Sequence, residues 1–299
     1  MPDNGTLLRG RYLLQETLGE GGMATVHRAY DHHDARWVAI KLLAPAVARR
    51  LSVQRRFARE AEVLQRLNHP NIVQLYDWRP AAEESFLVME FVDGGSLEAW
   101  SRRFGPMPPR MAVQATLQIC AGVGAAHAAG IIHRDIKPAN VLTTAAEQCK
   151  VVDFGLARAG DHARLTKAGL TMGTYGFMAP EQNTDAATAT ILADIYSIGA
   201  TLIALLNGRP HLDIRQALNG VSSQLPLSLA RVLVNTTLAE PSKRYSSIDD
   251  LYRALQRALK HLSQDTPVQP LHVHILHDDE EVNPTITPNS AEETIFLDD

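Results

Sequence analysis

The hydrophobic period of this chain changes once, at the short run Asp93-Gly94-Gly95, and that change limits what the chain can fold into. Before it, apolar and polar residues alternate in short runs: "YLLQETLG", "TVHRAYD" and "WVAIKLL", then "IVQLYDW" and "FLVMEFV". Period two marks half-buried strands, and the glycines of "GEGG" between the first two runs mark a hairpin turn. One interval differs. Phe57, Ala61, Leu64 and Leu67 recur at helical spacing over 52–67 until "HPN" stops them. After Gly95 the period becomes helical. Residues 109–129 form an Ala-rich periodic run closed by Gly130, and residues 191–207 a nearly all-apolar one closed by Gly208. Ser247, with Asp250 three residues on, caps a last helix whose Leu251, Leu255, Leu259 and Leu262 share a face. The expectation is an α+β chain of two lobes: a small antiparallel-sheet lobe with one helix over 11–92, and a large helical lobe over 93–262. Residues 1–10 extend the first lobe, and the cleft between lobes is where a ligand belongs.

A length of 299 residues suffices for two such lobes. Beyond residue 262 the periodicity fails. All 29 basic residues precede residue 263, whereas residues 263–299 hold nine acids and four prolines, so a body of charge +5 carries a tail of charge −9. That composition predicts a disordered acidic tail over 263–299. "LHVHILH" inside it alternates, but no Cys or third-ligand spacing accompanies its histidines to suggest a metal site. No apolar run approaches the about 18 residues of a membrane-spanning helix. The first residues lack the order of a signal peptide, and Cys120 and Cys149 sit in apolar settings as reduced thiols. These features predict a cytoplasmic chain without membrane insertion, and the net charge of −4 gives no expectation of nucleic-acid binding.

Three stretches carry chemistry. In "LGEGGMATV", Gly19, Gly21 and Gly22 lie between two strands, where backbone N–H groups can approach phosphate oxygens, although an ordinary glycine-rich turn has the same letters. It is not a P-loop, because no G-K-[ST] follows. In "VAIKLL", Lys41 stands in an apolar strand. A buried ammonium needs a partner, and Glu60, four residues before Leu64 and on its inward face, is the candidate; a Lys that reaches back to solvent is the alternative. In "HRDIKPANVL" and "VVDFGLA", Asp135 and Asn140 are five apart and Asp153 thirteen further on. Asn140 and Asp153 are hard oxygen ligands of the kind Mg²⁺ accepts. Asp135 is then free to orient or deprotonate a hydroxyl, and Lys137 supplies a cation for a transferred phosphoryl group.

In order, "GEGGMATV", "VAIK", Glu60, "HRDIKPAN", "DFG", "APE" and "DIYSIG" resemble the catalytic core of the eukaryotic-like (Hanks-type) serine/threonine protein kinases, in its bacterial form, over residues 11–262. The resemblance implies the two-lobed protein kinase fold and transfer of the ATP γ-phosphate to protein Ser/Thr hydroxyls, with ATP and Mg²⁺ as cofactors and Mn²⁺ as the alternative cation. It implies that Gly19, Gly21 and Gly22 cover the phosphates and that Lys41, braced by Glu60, holds the α- and β-phosphates. Leu18, Val26, Ala39 and Leu142 would enclose the adenine, with Met89 as gatekeeper and Glu90 and Val92 as hinge contacts. Asp135 would be the catalytic base, Lys137 the γ-phosphate contact, and Asn140 and Asp153 the metal ligands. Leu64, Leu75, His133 and Phe154 would stack across the lobes, Asp194 would brace the backbone near His133, and Glu181 would pair with Arg244. Lys137 and Thr174 are the Ser/Thr-specific form. Arg134 would meet a phosphothreonine of the 153–181 loop, Thr166 in preference to Thr171.

The resemblance also directs attention to what lies outside the catalytic residues. Between "NGRPHLD" and "SLARVL" the chain is shorter than the family implies, which bears on how substrates dock. Thr285, Thr287 and Thr294 of the tail are candidate autophosphorylation sites for an FHA-type reader and a cognate phosphatase; the alternative is a tail that lies on the basic body as an inhibitor. A pseudokinase scaffold would be signalled by loss of Lys41, Asp135 or Asp153, and all three are present.

Overall fold

The structure, a computed structural model, describes residues 4–80, 85–154, 175–184, 190–210, 213–263 and 270–271. Six strands form one antiparallel sheet in the order β1-β2-β3-β4-β6-β5: β1 Leu7–Leu8, β2 Tyr12–Glu20, β3 Ala24–Asp31, β4 Arg36–Leu43, β5 Leu75–Arg79 and β6 Phe86–Glu90. Alternation along β4 divides the sheet into two faces. Val38, Ile40 and Leu42 join Leu14, Ala29, Phe86 and Val88 in an outer core. On the other face the register sets Val26 opposite Lys41 and Ala39 opposite Met89, so these four residues share one surface.

A one-turn helix, α1 (Pro45–Ala48), precedes α2 (Leu51–Gln65), so the small lobe holds a short turn of helix besides the one its periodicity marks. The buried stripe of α2 is Val53, Phe57, Glu60, Ala61 and Leu64, in which Glu60 is the single charge. The large lobe contains α3 (Leu97–Phe104), α4 (Pro109–Ala128), the hairpin β7 (Val141–Thr143) and β8 (Cys149–Val151), α5 (Pro180–Thr184), α6 (Ile191–Asn207), α7 (Ile214–Ser222), α8 (Leu227–Thr236) and α9 (Ile248–Leu259). Ser247 caps α9 as its sequence suggests: its Oγ accepts the Asp250 N–H at 3.1 Å and donates to Asp250 Oδ2 at 2.8 Å. The shortened interval after α6 keeps a helix of its own. Asp213 caps α7 by accepting from the N–H groups of Arg215 and Gln216, and Ala217 and Val221 bury its inner side.

Two close approaches join the lobes. The linker glycine Gly94 lies so near β7 that a Cβ there would strike the Thr143 carbonyl oxygen. On the opposite side the "HPN" turn docks into the large lobe. Asn71 O accepts the Val151 N–H at 2.9 Å, and Asn71 Nδ2 donates to Cys149 O at 2.9 Å and Gln118 Oε1 at 3.1 Å. One apolar cluster consequently runs from Leu64, Leu75 and Leu87 through Ile119 and Val151 to Leu251.

The large lobe is pinned internally by an ion pair. Arg244, with a side chain 0% exposed, meets Glu181 through two bonds of 2.7 Å each and donates to the carbonyls of Leu192, Leu238 and Ala239. Every guanidinium nitrogen has a partner, which is the condition for burying such a charge. Arg244→Ala should destabilise the fold by about 3–5 kcal/mol, read from the midpoint of chemical denaturation, because Glu181 and three carbonyls lose their donor. A loss below about 1 kcal/mol would show that the pair contributes little.

Candidate active site

Lys41 sits at the centre of the site. Placed by β4 on the inner face of the sheet, its ammonium lies 2.7 Å from Glu60 Oε1 of α2 and 2.8 Å from Asp153 Oδ1, two residues beyond β8. The sequence-inferred Lys41–Glu60 pair therefore forms, and a second carboxylate joins it from the large lobe. Burial pulls the Lys41 ammonium down, but the charges of Asp153 and Glu60 outweigh it and raise it above its ordinary value. Lys41 in turn holds the Asp153 carboxyl below the usual carboxylate range. Burial pushes Glu60 the other way, and the ammonium opposes that push. Asp153 has φ 54°, a left-handed conformation unusual for a residue with a Cβ. Its side chain remains 53% exposed, so one face is open to a ligand.

The loop 133–140 forms a second cluster. Lys137 Nζ reaches Asp135 Oδ2 at 2.8 Å and Oδ1 at 3.2 Å. Asn140 Nδ2 donates to Asp135 O at 2.8 Å and Asp135 Oδ2 at 3.0 Å. Both amide hydrogens of Asn140 are thereby committed, which leaves its Oδ1 to face a cation. His133 accepts the Asp135 N–H at Nδ1 and donates from Nε2 to Val152 O at 3.0 Å, while its ring lies 4.7 Å from that of Phe154.

Asp194 holds this loop from below. At 0% exposure, it accepts the His133 N–H at 2.9 Å, the Arg134 N–H at 2.7 Å and His127 Nε2 at 2.8 Å. Arg134 is thus fixed at φ 70°, and its side chain pairs with no carboxylate among the described residues. His127 gave no signal in the sequence; only the fold brings α4 against the first turn of α6.

Around the clusters, Leu18, Val26, Met89 and Leu142 are half-buried, and Ala39 and Val92 are buried. Glu90 N–H is taken by Gln74 O at 2.8 Å, whereas the N–H and C=O of Val92 form no backbone hydrogen bond among the described residues. Behind this segment the buried Lys150 Nζ meets the half-buried Glu90 Oε1 at 2.8 Å, a pair that joins β8 to β6 and that no sequence spacing announces. Gly19 and Gly22 have neither a positive φ nor any atom within 4 Å of a would-be Cβ. Nothing within the protein demands glycine there; both positions open onto free space. No group of three or more His, Cys, Asp or Glu among the described residues could hold a metal alone. Two oxygen donors, Asn140 and Asp153, fit a cation that takes its other ligands from phosphate and water. Thr166, Thr171, Thr174, Thr285, Thr287 and Thr294 lie outside the described residues, as does Gly155.

Residues 12–287 match the family model for the protein kinase domain. The chain belongs to the protein kinase family. Its kinase domain is 36% identical over 265 residues to the serine/threonine-protein kinase PknD of Mycobacterium tuberculosis and 38% over 259 residues to PknB of Mycobacterium leprae. Each match covers 84% of this chain and 40% of the relative, so the chain spans less than half the length of these relatives. The crystal structure of the Mycobacterium tuberculosis PknI kinase domain superposes with a TM-score of 0.69 at 26% identity, covering 86% of this chain and 99% of that one. The two-lobed kinase fold and the bacterial serine/threonine-kinase kinship read from the motifs both hold. No described helix of this kinase domain is long and apolar enough to cross a membrane.

The ionic cluster fixes a pH dependence. Asp153, depressed by Lys41, contributes stability above the ordinary carboxylate range and loses it as pH falls through its lowered value. Lys41, raised by its carboxylates, contributes below the ordinary amine range and loses it as pH rises through its own elevated value. The difference in denaturation midpoint between wild type and Lys41→Met should therefore be present near neutral pH and shrink below about pH 4, as the carboxylates protonate. A difference unchanged down to about pH 2 would show that the pairing carries none of it.

Proposed function

We propose that this chain is an ATP-dependent serine/threonine protein kinase, on the strength of one observation above all. Lys41 is shared between Glu60 of the small lobe and Asp153 of the large lobe, beside the Asp135–Lys137–Asn140 cluster. In this reading Gly19, Gly21 and Gly22 lie over the nucleotide phosphates, and the Lys41 ammonium binds the α- and β-phosphates. Leu18, Val26, Ala39 and Leu142 enclose the adenine beside Met89, and the Glu90 carbonyl and Val92 backbone read its edge. When bound, a divalent cation, Mg²⁺ before Mn²⁺, supplies charge neutralisation of the phosphates between Asn140 and Asp153.

Asp135, held by Lys137 and Asn140, keeps carboxylate lone pairs for the incoming hydroxyl, which it orients and whose proton it accepts. Lys137 sits where it can steady the transferred phosphoryl group. Its place two residues after Asp135 supports Ser/Thr over Tyr as the acceptor. A pseudokinase scaffold gains no support, since Lys41, Asp135 and Asp153 all stand in paired positions. Protein substrates, an FHA-type reader of phosphorylated tail threonines and a cognate phosphatase belong to the same proposal, as does a cytoplasmic location, which suits the two free, buried thiols Cys120 and Cys149.

Incubation with Mg²⁺-ATP should label the wild-type chain or a basic Ser/Thr peptide. Asp135→Asn, shown to be folded and to bind nucleotide, should lose about a hundredfold or more of that rate. A folded wild type that transfers no phosphate to itself or to the peptide contradicts the proposal. In the same samples, peptide mass spectrometry should find phosphate on Thr166 or Thr171 and on Thr285, Thr287 or Thr294 in the wild type alone. Tail threonines that stay unmodified would remove the tail from the list of substrates.

A further inference from the structure

The structure contains a second basic site, away from Lys41. The C-terminal half of α9 and the flank of α4 border an open groove of about 700 Å³ lined by Arg110, Arg253, Arg257 and Lys260 around the apolar side chains of Leu117 and Leu259. Arg257 and Lys260 pair with no carboxylate among the described residues, and Arg253 approaches Asp250 only at 3.9 Å. Arg110 donates to the carbonyl of Leu262, the last residue before the acidic tail. Four cations around an apolar floor form a receptor for an acidic, partly apolar segment.

The chain supplies such a segment at the right place. After leaving α9 it returns to the large lobe at Pro270 and Leu271. Trp100 Nε1 donates to Pro270 O at 3.0 Å, the Leu271 N–H reaches Glu147 Oε1 at 3.4 Å, and Leu271 is 5% exposed. Glu147 is itself tied to α4, because its carbonyl accepts the amide of Gln118 at 3.1 Å, and Gln118 is the neighbour of the groove residue Leu117. Leu271 is thus tied, through Glu147, to the helix that carries Leu117. The run Asp278-Asp279-Glu280-Glu281, preceded by Ile275 and Leu276, begins seven residues after Leu271. Seven extended residues span up to about 23 Å, and no Lys or Arg follows residue 262 to oppose docking.

We propose that the groove between α4 and α9 receives the segment Ile275–Glu281 of the same chain, with its four acids on Arg110, Arg253, Arg257 and Lys260. Each exposed ion pair is weak, but attachment at Leu271 makes the encounter intramolecular, so weak pairs suffice at low salt. This docking does not depend on the kinase reaction and stands whether or not tail threonines are substrates.

The test is fluorescence anisotropy on the full chain carrying Asn283→Cys labelled with a dye; the native thiols are buried and spared. At about 0.02 M salt the label should show the slow rotation of the whole protein and lose that slow component by about 0.5 M salt. The tail variant Asp278→Lys/Asp279→Lys/Glu280→Lys/Glu281→Lys should lack the slow component at every salt concentration, and so should Arg253→Glu/Arg257→Glu/Lys260→Glu. The tail variant leaves the folded lobes untouched, so it reports even if the groove variant is unstable. Slow rotation that survives the tail variant overturns the proposal. So does a slow component that appears only as protein concentration rises, which would assign the groove to the tail of a second copy.

Discussion

The Lys41 ammonium, held between Glu60 and Asp153, is the interaction on which the arrangement of this kinase depends. A charge in the wall of an otherwise apolar sheet is costly unless it is paired. Each partner comes from a different element: Glu60 from the buried stripe of α2, Asp153 from the segment after β8. Satisfying Lys41 thus sets the rotation of α2 against the sheet and draws Asp153 to the sheet in a left-handed backbone conformation. The small lobe, its helix and the large-lobe hairpin are aligned by one ammonium group. The same alignment leaves Asp153 half open beside Asn140, where the donor set suits a phosphate-bound cation.

A second carboxylate performs the equivalent task below the cleft. Asp194 is fully buried and accepts from two successive backbone N–H groups and one imidazole, which fixes His133 and Arg134 and hence the loop that presents Asp135. Glu181 and Arg244 hold α5 to the far side of α6 in the same manner. In these last two places the charge is buried among several hydrogen-bond partners, and each fixes a loop rather than a helix core. Loops have no ladder of their own to fix their shape, so point contacts of this kind position them.

Much of this was legible in the sequence, for physical reasons. Lys41 stands out because a strand alternates and a cation inside it needs a partner; Glu60 stands out because it shares the inward face of Leu64. The helices at 109–129 and 191–207 and the Ser247 cap are local patterns, and local patterns survive without knowledge of the fold. What stayed hidden depends on distant pairing. Asp153 read as a metal ligand, and its bond to Lys41 joins residues 112 apart. Lys150–Glu90 and His127–Asp194 likewise bring together elements with no shared periodicity. The helix α7 is harder to read: Ile214, Ala217, Leu218 and Val221 do fall at helical spacing behind the Asp213 cap, but over only nine residues. Pro270 and Leu271 fall in a stretch whose composition predicts disorder, yet an apolar pocket and the Trp100 indole N–H hold them.

The central claim is that Glu60 and Asp153 act on phosphoryl transfer through one shared lysine, and a double-mutant cycle measures it directly. The rate of phosphate transfer is compared for wild type, Glu60→Gln, Asp153→Asn and the double variant. If both carboxylates work through Lys41, Glu60→Gln should cost about tenfold or more in the wild-type background and less than about threefold once Asp153 is already Asn. Equal factors in both backgrounds would mean that the two carboxylates act independently, and the account of a single ammonium aligning the two lobes would be contradicted.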